Sequence, residues 1–573
     1  MAGNYYIRFL ALAFIYVILA TGYNIALGYC GMVTFSAAAL YGAGAYASAI
    51  AITRFGMPFG VGALCGMVVA GLISLVVSIP AFKVRGDYLA LVSIGLLEIV
   101  QQIMIGWQGA TGGSAGFRIS RWQLFGMPLS LTGKYYAILA VMVLCLLFQR
   151  NLVKSRWGRD FKAMRDNEVT AGGLGIKFPM YRVYGFLFSA ALSGLAGALY
   201  GSYIGYLSPD SFGFGFTLFV LLMVVVGGSG TLSGPVIGAA IATFLPEFFN
   251  STPDLKQIVF GLLLVVLTQV LPGGLVGSIK KRTRQIDDNR FVDRDSRKDH
   301  FDFNNYKVSS TADCPDILTI SGLTKRYGGL LAVNGLDITV KRGTVHSLIG
   351  PNGAGKTTAV NMITGIEKPT AGSVTLNGRD ITGIAMWDLL GKGVSRTYQH
   401  VRLFTGMSVI DNVVLGARLA YTHSLMGALL RSRKMRREER ASYEAAMDYL
   451  RVIGLGDKLN EDPGSLSSGQ QKLLELARAL CTKPELLVLD EPCAGLTETE
   501  TSQFSTLISS IRNAGISILL IEHHMSLVMK ISDCITVLDY GKKIAEGRPE
   551  VIAVDRAVRT AYLGEETQNA ATG

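Results

Sequence analysis

Long charge-free runs in the first half of the sequence constrain this chain more than any other feature. Windows 9–27, 31–52, 57–82 and 183–208 contain no Asp, Glu, Lys or Arg. A helix needs about 20 apolar residues to cross the hydrocarbon core of a bilayer. The first half is therefore predicted to be a polytopic α-helical membrane domain.

Further apolar windows complete this prediction. They cover 88–117, 135–149, 211–246 and 257–279. Window 211–246 is long enough for two passes, so the total is about eight or nine spans, and we leave open whether 31–52 is a full span or a re-entrant segment. Segment 150–182 holds eight Lys or Arg against three acids, and KKRTR follows at 280–284. By the positive-inside rule both segments are predicted to be cytoplasmic.

Composition narrows the function classes. The hydrophobic fraction is 50% and the net charge is +12. Because much of the basic excess lies beside apolar segments, membrane lipid rather than nucleic acid is the expected contact. The seven cysteines include no CxxC pair, which argues against a zinc site or a disulfide framework. No histidine precedes His300, so a proton relay within the membrane half is disfavoured.

Two features of the membrane half are candidates for a role in transport. Glu98 interrupts an apolar window, and a charged residue at the centre of a spanning helix costs about 2.5 to 3.5 kcal/mol on insertion scales. It should face protein or water, either in a hydrogen-bonded cluster with Gln101 and Gln102 or as a direct participant in transport. The glycine-rich breaks at 109–116 and 227–230 are candidates for the translocation path, because irregular backbone at membrane depth must be buried in protein or line a cavity.

The second half begins after a polar segment, 280–316, with nine basic and eight acidic residues. The apolar run HSLIG then leads into GPNGAGKT, which fits GxxxxGK[ST]. In this motif the glycines let backbone N–H groups surround phosphate oxygens, Lys356 reaches the outer phosphates and the Thr357 hydroxyl ligates Mg²⁺. The motif predicts a nucleoside triphosphate site on an α/β domain.

A second motif supplies the carboxylates for hydrolysis. The apolar run 486–489 ends in Asp490 and Glu491. Asp490 is predicted to hold Mg²⁺, and Glu491 to orient or deprotonate the attacking water. LSSGQ, at 466–470, lies between the two motifs.

With these three motifs the second half resembles the ATP-binding cassette (ABC) family. The resemblance implies that Tyr327 stacks on adenine, Gln399 helps to hold Mg²⁺ and acts in catalysis, and His523 is the catalytic switch histidine. It also implies that the LSSGQ loop of one cassette caps the γ-phosphate bound by another, so that hydrolysis needs two cassettes. The residues assigned to ATP binding are Tyr327, Gly350, Asn352, Gly353, Gly355, Lys356, Thr357, Thr358, Ser467, Gly469 and Gln470.

The sequence departs from the family pattern at two positions. Thr497 stands where the D-loop often has Asp, and Ser468 occupies the third signature position, which is usually Gly. Neither change removes a catalytic group, so an active site is expected. The sequence does not decide which of two composite ATP sites hydrolyses.

The whole chain resembles a permease of the branched-chain (hydrophobic) amino acid importers joined to that family's own ATPase. The permease likeness is carried by VRGDYLALVSIGLLEIVQ, SRWGRDFKAMRDNEVTAGGLGI and VVVGGSGTLSGPVIGA, and the ATPase likeness by RTYQHVRLF, AGLTETE and IEHHMSLVM. The implied organisation is a permease domain at 1–279, a linker at 280–316 and a cassette at 317–573. Segment 158–176 resembles the family's coupling segment.

The resemblance also implies partners and a location. These are an extracytoplasmic substrate-binding protein, a second permease and a second cassette (or a second copy of this chain), membrane lipid, ATP and Mg²⁺, in a bacterial inner membrane with the ATPase cytoplasmic. Urea and short-chain amide importers share the plan and remain the alternative for the substrate. An exporter half-transporter and a nucleotide-gated channel are weaker alternatives.

Overall fold

The computed structural model describes residues 2–78, 87–119, 122–124, 127–245, 262, 266, 269–270, 273–283, 315–422 and 424–563. Two compact units are present. Among the described residues, the first unit comprises those of 1–165, 178–287 and 425–432, and the second those of 166–177, 288–424 and 433–573. Most of window 257–279 and of the predicted linker lies outside the described residues.

The first unit is helical. Its helices are α1 (Ala2–Asn24), α2 (Ala37–Phe55), α3 (Phe59–Ser78), α4 (Asp87–Gly106), α5 (Gln108–Thr111), α6 (Leu131–Val153), α7 (Arg156–Asp166), which ends at the unit boundary, α9 (Phe178–Ile204), α10 (Phe214–Gly227), α11 (Gly234–Phe244), α12 (Gly274–Thr283) and α16 (Leu425–Leu429); α8 (Glu168–Gly173) belongs to the second unit. Four two-residue strands accompany them, β1 (Phe117–Arg118), β2 (Gln123–Leu124), β3 (Met127–Pro128) and β4 (Tyr206–Leu207).

Several helices of the first unit are both long and apolar enough to span a membrane. Among the described residues, five are long and apolar enough to cross a bilayer: 5–29, 59–76, 88–106, 131–153 and 178–204. Window 211–246 forms α10 and α11, which have 14 and 11 residues, because its Gly-rich centre ends the first helix early. Because most of window 257–279 lies outside the described residues, the estimate of about eight or nine spans stays a prediction.

Small residues form the contact between α2, α3 and α9. A Cβ placed on Gly44 would lie 2.4 Å from Cα of Gly194, and one on Gly66 would lie 2.7 Å from the carbonyl oxygen of Gly44. These distances are shorter than any real Cβ contact, so only glycine allows the three backbones to approach this closely. The glycines at this contact therefore serve close packing of the helices.

The break at 227–230 is held by a buried side chain. Gly228 and Gly230 both have positive φ, 119° and 71°. Asn24 Oδ1 accepts from Gly230 N at 2.8 Å, and Asn24 Nδ2 donates to the Thr231 carbonyl at 2.9 Å. Asn24 is fully buried and so satisfies the irregular backbone inside the protein.

Glu98 lies on the exposed side of α4. Its neighbours Leu97 and Val100 are buried, whereas Glu98 and Gln102 are exposed. The hydrogen-bonded cluster of Glu98 with Gln101 and Gln102 is not formed among the described residues. The side chains of α4 that pack inward are instead Ser93, Leu96, Leu97, Val100 and Met104.

The second unit is an α/β domain. Its strands are β5 (Asp316–Tyr327), β6 (Leu330–Lys341), β7 (Val345–Ile349), β8 (Ala371–Leu376), β9 (Arg379–Asp380), β10 (Val394–Arg396), β11 (Leu486–Asp490), β12 (Ser517–Ile521), β13 (Cys534–Asp539) and β14 (Lys542–Gly547). A six-stranded sheet has the order β10-β11-β12-β7-β13-β14, parallel except for β14, and a four-stranded antiparallel sheet has the order β6-β5-β8-β9.

Helices cover the parallel sheet. They are α13 (Lys356–Ile363), α14 (Met386–Leu389), α15 (Val409–Val414), α17 (Arg433–Val452), α18 (Ser468–Leu480), α19 (Glu498–Asn513), α20 (Met525–Ile531), α21 (Pro549–Val554) and α22 (Arg556–Leu563). Strand β11 is buried along its whole length, with Leu487 and Leu489 in one hydrophobic cluster and Leu486 and Val488 in another. Continuous apolar runs form strands of this kind because both faces of a central parallel strand are covered.

Candidate active site

The phosphate-binding loop lies between β7 and α13. Gly350, Gly353 and Gly355 all have positive φ, at 154°, 83° and 96°. A Cβ on Gly350 would lie 2.1 Å from the Leu538 carbonyl oxygen, and one on Gly355 would lie 2.4 Å from the Ala332 carbonyl oxygen. The loop therefore needs glycine both for its backbone conformation and for its close approach to the backbone of neighbouring segments in the same domain.

Lys356 begins α13 and is folded across the loop. Its Nζ donates to the carbonyl oxygens of Gly350 and Pro351, at 2.7 and 2.9 Å. Burial lowers the pKa of Lys356, and the nearby carboxylates of Glu491 and Asp490 act in the opposite direction. A cation in this position is ready to meet phosphate oxygens entering the loop.

Asp490 ends β11 and forms a buried ion pair that the sequence analysis missed. Arg396 Nη2 donates to Asp490 Oδ2 at 2.7 Å, with both side chains almost fully buried. Arg396 also donates to Asn361 and Thr364 through Nη1, at 2.9 and 2.7 Å. Arg396 therefore joins β10, α13 and the end of β11, and its hydrogen bonds orient the Asp490 carboxylate.

Glu491 is the meeting point of the residues predicted to act in catalysis. Gln399 Nε2 donates to Glu491 Oε2 at 3.0 Å, and His523 Nδ1 lies 3.9 Å from the same oxygen. Glu491 has a φ of 47°, which is uncommon for a residue with a side chain. The structure thus brings Glu491, Gln399 and His523 together.

Two further residues fix the backbone around Glu491. Glu522 is fully buried; its Oε1 accepts from Cys493 N, and its Oε2 accepts from His523 N, both at 2.9 Å. Lys472, on α18, donates to the carbonyl oxygens of Glu491 and Ala494. The sequence held a weak signal for both residues, since Glu522 precedes the switch histidine and Lys472 follows LSSGQ by two positions.

Tyr327 lies beside the first turn of α13. Its hydroxyl donates to the Glu367 carboxylate and also bonds the Thr358 side chain. The Lys325 ammonium lies 5.0 Å from the centre of its ring, and the side chain remains partly exposed. An exposed aromatic ring next to the phosphate-binding loop suits the predicted stacking on a base.

The signature loop is organised locally. Ser467 caps α18, and its Oγ accepts from Gln470 N at 3.3 Å while its own N–H donates to Gln470 Oε1 at 3.2 Å. Ser467 and Ser468 are exposed, whereas Gly469 is buried and leaves no room for a Cβ beside the Glu500 carboxylate. Among the described residues no hydrogen bond joins this loop to the phosphate-binding loop, and the exposed Ser467 and Ser468 are open to contact from outside their own cassette.

Thr497, which stands where the family often has Asp, is the N-cap of a helix. It caps α19: its Oγ1 accepts from Glu500 N at 3.3 Å, and the Glu500 carboxylate accepts from the Thr497 N–H at 2.9 Å. The hydrogen bonds that the Thr497 N–H and hydroxyl donate to the Glu500 carboxylate lower the pKa of Glu500. Thr and Asp both serve well as N-caps, so the exchange preserves the helix start.

A buried ion pair on α18 holds the segment around Gln399. Arg478 Nη2 donates to Glu475 Oε1 at 3.1 Å, and Arg478 Nη1 donates to the Arg402 carbonyl at 2.9 Å. The Glu475 carboxylate also accepts the backbone N–H groups of Tyr398 and Arg402, yet burial raises its pKa to about 7. The signature helix and the Gln399 segment are therefore tied together by two charged groups.

Residues 166–177 belong to the same unit as these elements, although they lie between helices of the first unit in sequence. The Asp166 carboxylate accepts from Gly406 N at 2.9 Å, and the Tyr398 hydroxyl donates to the Val169 carbonyl at 3.1 Å. Lys177 pairs with Asp388 at 2.9 Å. This segment is the C-terminal part of the predicted coupling segment, and Tyr398 directly precedes Gln399.

This combination defines the class of protein. An ATP-binding cassette is formed by a glycine loop with its lysine after β7, an Asp-Glu pair at the end of β11 in the same sheet, a glutamine and a histidine near the glutamate, and a capped signature helix. The cassette follows a unit of apolar helices in the same chain.

Comparison with known proteins agrees with this assignment. Residues 5–268 match the family model described as branched-chain amino acid transport system / permease component, 333–494 match ABC transporter, and 542–567 match branched-chain amino acid ATP-binding cassette transporter. The chain therefore belongs to the branched-chain amino acid ABC transporter family.

Curated relatives cover the cassette half. The high-affinity branched-chain amino acid transport ATP-binding protein BraF of Pseudomonas aeruginosa is 44% identical over 250 residues, covering 44% of this chain and 98% of BraF. LivG of Escherichia coli (strain K12) is 43% identical over the same length, with 98% of LivG covered. A solved nucleotide-free ATP-binding cassette shares 33% identity over 44% of this chain and 100% of its own, at a TM-score of 0.39.

These findings confirm several of the predictions from sequence. The family, the fold class of a helical membrane domain followed by an ABC ATPase, and ATP hydrolysis coupled to transport are all shown. The family also implies partner permease and ATPase subunits and a substrate-binding protein.

Proposed function

We propose that this chain is a fused permease and ATPase subunit that imports branched-chain or other hydrophobic amino acids across a bacterial inner membrane. One observation carries the proposal: a branched-chain permease match and a branched-chain cassette match lie in one polypeptide. The relatives named above are ATP-binding proteins of branched-chain amino acid transport. A chain that contains both parts supplies the permease and the ATPase in a one-to-one ratio.

We propose that Glu491 is the centre of ATP hydrolysis. Backbone N–H groups of the loop from Gly350 to Gly355 and the Lys356 ammonium bind the phosphates. Glu491 accepts a proton from the attacking water, and the hydrogen bond from Gln399 holds its carboxylate in place. His523, whose Nδ1 lies 3.9 Å from Glu491 Oε2, is positioned to meet the γ-phosphate beside that water.

The proposed metal ligands suit Mg²⁺. Thr357 offers a hydroxyl, Gln399 an amide oxygen and Asp490 a carboxylate, which are the oxygen ligands that this cation prefers. When bound, Mg²⁺ neutralises charge on the phosphate oxygens. Thr357 and Gln399 are exposed, so both can reach a bound nucleotide.

The signature residues supply the second half of an ATP site in another cassette. Ser467, Gly469 and Gln470 lie at the start of α18, where N–H groups and the helix dipole favour an anion. We propose that Ser467 and the first N–H groups of α18 contact the γ-phosphate held by a partner cassette. The second cassette and the second permease come from other chains or from a second copy.

The coupling step uses residues 166–177. This segment bonds Tyr398 and Gly406, and Tyr398 is adjacent to Gln399, which bonds Glu491. Closing of two cassettes around ATP would therefore move the segment, and with it the neighbouring helices of the permease. An extracytoplasmic binding protein would deliver the amino acid on the other side of the membrane.

The test is uptake of labelled leucine by cells that carry either the native chain or Glu491→Gln. The variant should bind ATP but hydrolyse it about 10² to 10⁴ times more slowly, because it lacks a general base. Uptake should be lost with it, and excess unlabelled valine should block uptake by the native chain.

Three outcomes would contradict the proposal. Rapid hydrolysis by the Glu491→Gln variant would remove Glu491 from its catalytic role. Equal leucine uptake in both forms, or inhibition by urea instead of valine, would mean that a different transporter imports leucine. Urea or short amides would then be favoured as the substrate of this chain. Net efflux of leucine would indicate an exporter.

A further inference from the structure

The spanning helix α4 carries two polar residues, Glu98 and Gln102, in a stripe on the outside of its unit. Leu91, Gly95, Glu98 and Gln102 recur at intervals of four, three and four residues, so they share one face of the helix. All four are exposed. The opposite face of α4, which includes Leu97 and Val100, is buried.

The inner face of α4 is fixed by specific contacts. The N–H of Phe35 donates to Ser93 Oγ at 2.8 Å, and a Cβ on Gly42 of α2 would lie 2.9 Å from the methyl carbon of Met104. These contacts on two turns of α4 prevent the helix from turning Glu98 inward. The carboxylate therefore stays on the outer surface of this chain.

Lipid is an unsuitable neighbour for that surface. Glu98 lies in the spanning window 88–106, and at least two turns of helix separate it from either end of that window. Among the described residues it has no hydrogen bond or ion pair, and Gln102, one turn further along, is also exposed. An uncompensated carboxylate at this depth must face water or another protein that brings polar groups.

The helix surface beside the carboxylate is open. Gly95 lies one turn before Glu98 on the same stripe, and a Cβ placed on it would meet no atom within 4 Å. The stripe therefore has a notch at Gly95, bordered by the apolar Leu91 and the carboxylate of Glu98. A notch bordered by an apolar side chain and a carboxylate fits a hydrophobic amino acid, because the α-ammonium group and the side chain of such a molecule are attached to the same carbon atom.

We propose that the Leu91, Gly95, Glu98 and Gln102 stripe lines the hydrated transport path against a second permease chain, and that Glu98 binds the α-ammonium group of the cargo. The assignment of an ammonium rests on the proposed function, since urea and neutral amides carry none. The occupant of the far side of the path is the second permease that the family implies.

Accessibility to water tests the path without any assumption about the cargo. Glu98→Cys, Gln102→Cys and Ile99→Cys are compared in the full chain, assembled with its partners in proteoliposomes. A charged, membrane-impermeant thiol reagent is added, and peptide mass spectrometry quantifies the modification at each introduced cysteine, so native cysteines do not interfere. Ile99 is the matched control, because it is adjacent and exposed but about 100° round the helix.

The expected result is modification of Glu98→Cys and Gln102→Cys at least tenfold faster than of Ile99→Cys, since the reactive thiolate needs water. Saturating leucine should slow the first two and leave the third unchanged. Equal rates at all three positions would overturn the path assignment, and the Gln102→Cys result decides if Glu98→Cys does not assemble.

Uptake by carboxylate variants tests the ammonium contact. Glu98→Gln should lower leucine uptake at least tenfold, mainly through a higher KM. Glu98→Asp should restore most of the uptake, and Ile99→Gln should behave as the native chain. Native uptake by Glu98→Gln would overturn the ammonium contact. If the native chain does not import leucine at all, the proposed function fails, and the labelling rates still decide whether the stripe lines the path.

Discussion

His346 is a buried histidine whose protonation is opposed by its surroundings. It lies on β7, and its Nε2 is 2.8 Å from Thr536 Oγ1. Burial lowers the pKa of His346 to about 4, with a smaller opposing effect from Glu546 and a smaller supporting one from Lys543. In the unfolded chain His346 is therefore protonated below about pH 6.5, whereas in the folded chain it stays neutral down to about pH 4.

The sign of the resulting pH dependence is fixed by this difference. Stability from a neutral His346 is fully present above pH 6.5 and is lost as the pH falls towards 4, by at most about 3 kcal/mol. His346→Gln can keep the bond to Thr536 but cannot be protonated. We expect the apparent melting temperature of the purified chain to fall less for the variant than for the native protein between pH 6.5 and 4.5. Parallel curves for the two proteins would contradict a role for His346.

Single residues were predictable from sequence where the motif is local. The positions from Gly350 to Thr357 and the pair Asp490 and Glu491 follow from chain neighbours alone, because each motif is one turn joined to one strand. The ion pair of Arg396 with Asp490 joins residues 94 positions apart and was missed. Spacing in a sequence does not reveal which distant charge a fold will bring to a buried carboxylate.

At the scale of elements, the glycines of α3 give a matched pair of sites. Gly66 is buried, and its Cβ would lie 2.7 Å from the Gly44 carbonyl oxygen, whereas Gly60 lies on the same helix with nothing within 4 Å. Gly66→Ala should separate α2 from α3 and destabilise the unit by about 1 to 3 kcal/mol, the usual cost of overpacking. Gly60→Ala should be neutral or slightly stabilising, because Ala favours a helix.

Thermal unfolding of the two variants in detergent, followed by tryptophan fluorescence, checks this prediction. A melting temperature that is lowered for Gly66→Ala and unchanged for Gly60→Ala is expected. Equal shifts for both would mean that helix propensity, and not the contact with Gly44, dominates.

Element types could be read from the sequence better than their extents. The runs that form β7 and β11 are mostly apolar, which indicated buried strands of an α/β domain, and both strands are buried along their whole length. In the membrane half, apolar length indicated spans, yet α10 and α11 are short. Hydropathy averages over a window and does not detect the positive φ at Gly228 that ends a helix inside it.

At the scale of the whole molecule, the order of the parts was predictable and the path of the chain between them was not. Motifs placed a permease before a cassette, and the family matches agree. The contacts of residues 166–177 with the second unit, and of 425–432 with the first, depend on long-range packing. One such contact is the bond from Asn151 Nδ2 to the Leu429 carbonyl at 2.8 Å. From sequence order alone, each of these segments would be assigned to the same unit as the residues that flank it in the chain.

Tyr398 provides a test of how hydrolysis is linked to transport. Its backbone is held by Glu475 of the signature helix, its hydroxyl donates to the Val169 carbonyl, and its neighbour Gln399 bonds Glu491. Tyr398→Phe removes only the bond to Val169, which is worth about 0.5 to 1.5 kcal/mol. The ATP site keeps all of its own contacts in this variant.

We therefore expect the Tyr398→Phe transporter to retain basal ATP hydrolysis while the number of amino acids imported per ATP falls about two- to tenfold, the range that one such bond allows. Uptake and phosphate release are measured together in proteoliposomes with the binding protein present. Tyr540→Phe, at a highly exposed tyrosine, is the matched control and should leave the ratio unchanged. If hydrolysis and import fall in proportion, the hydroxyl supports the ATP site itself, and the link through Val169 is wrong.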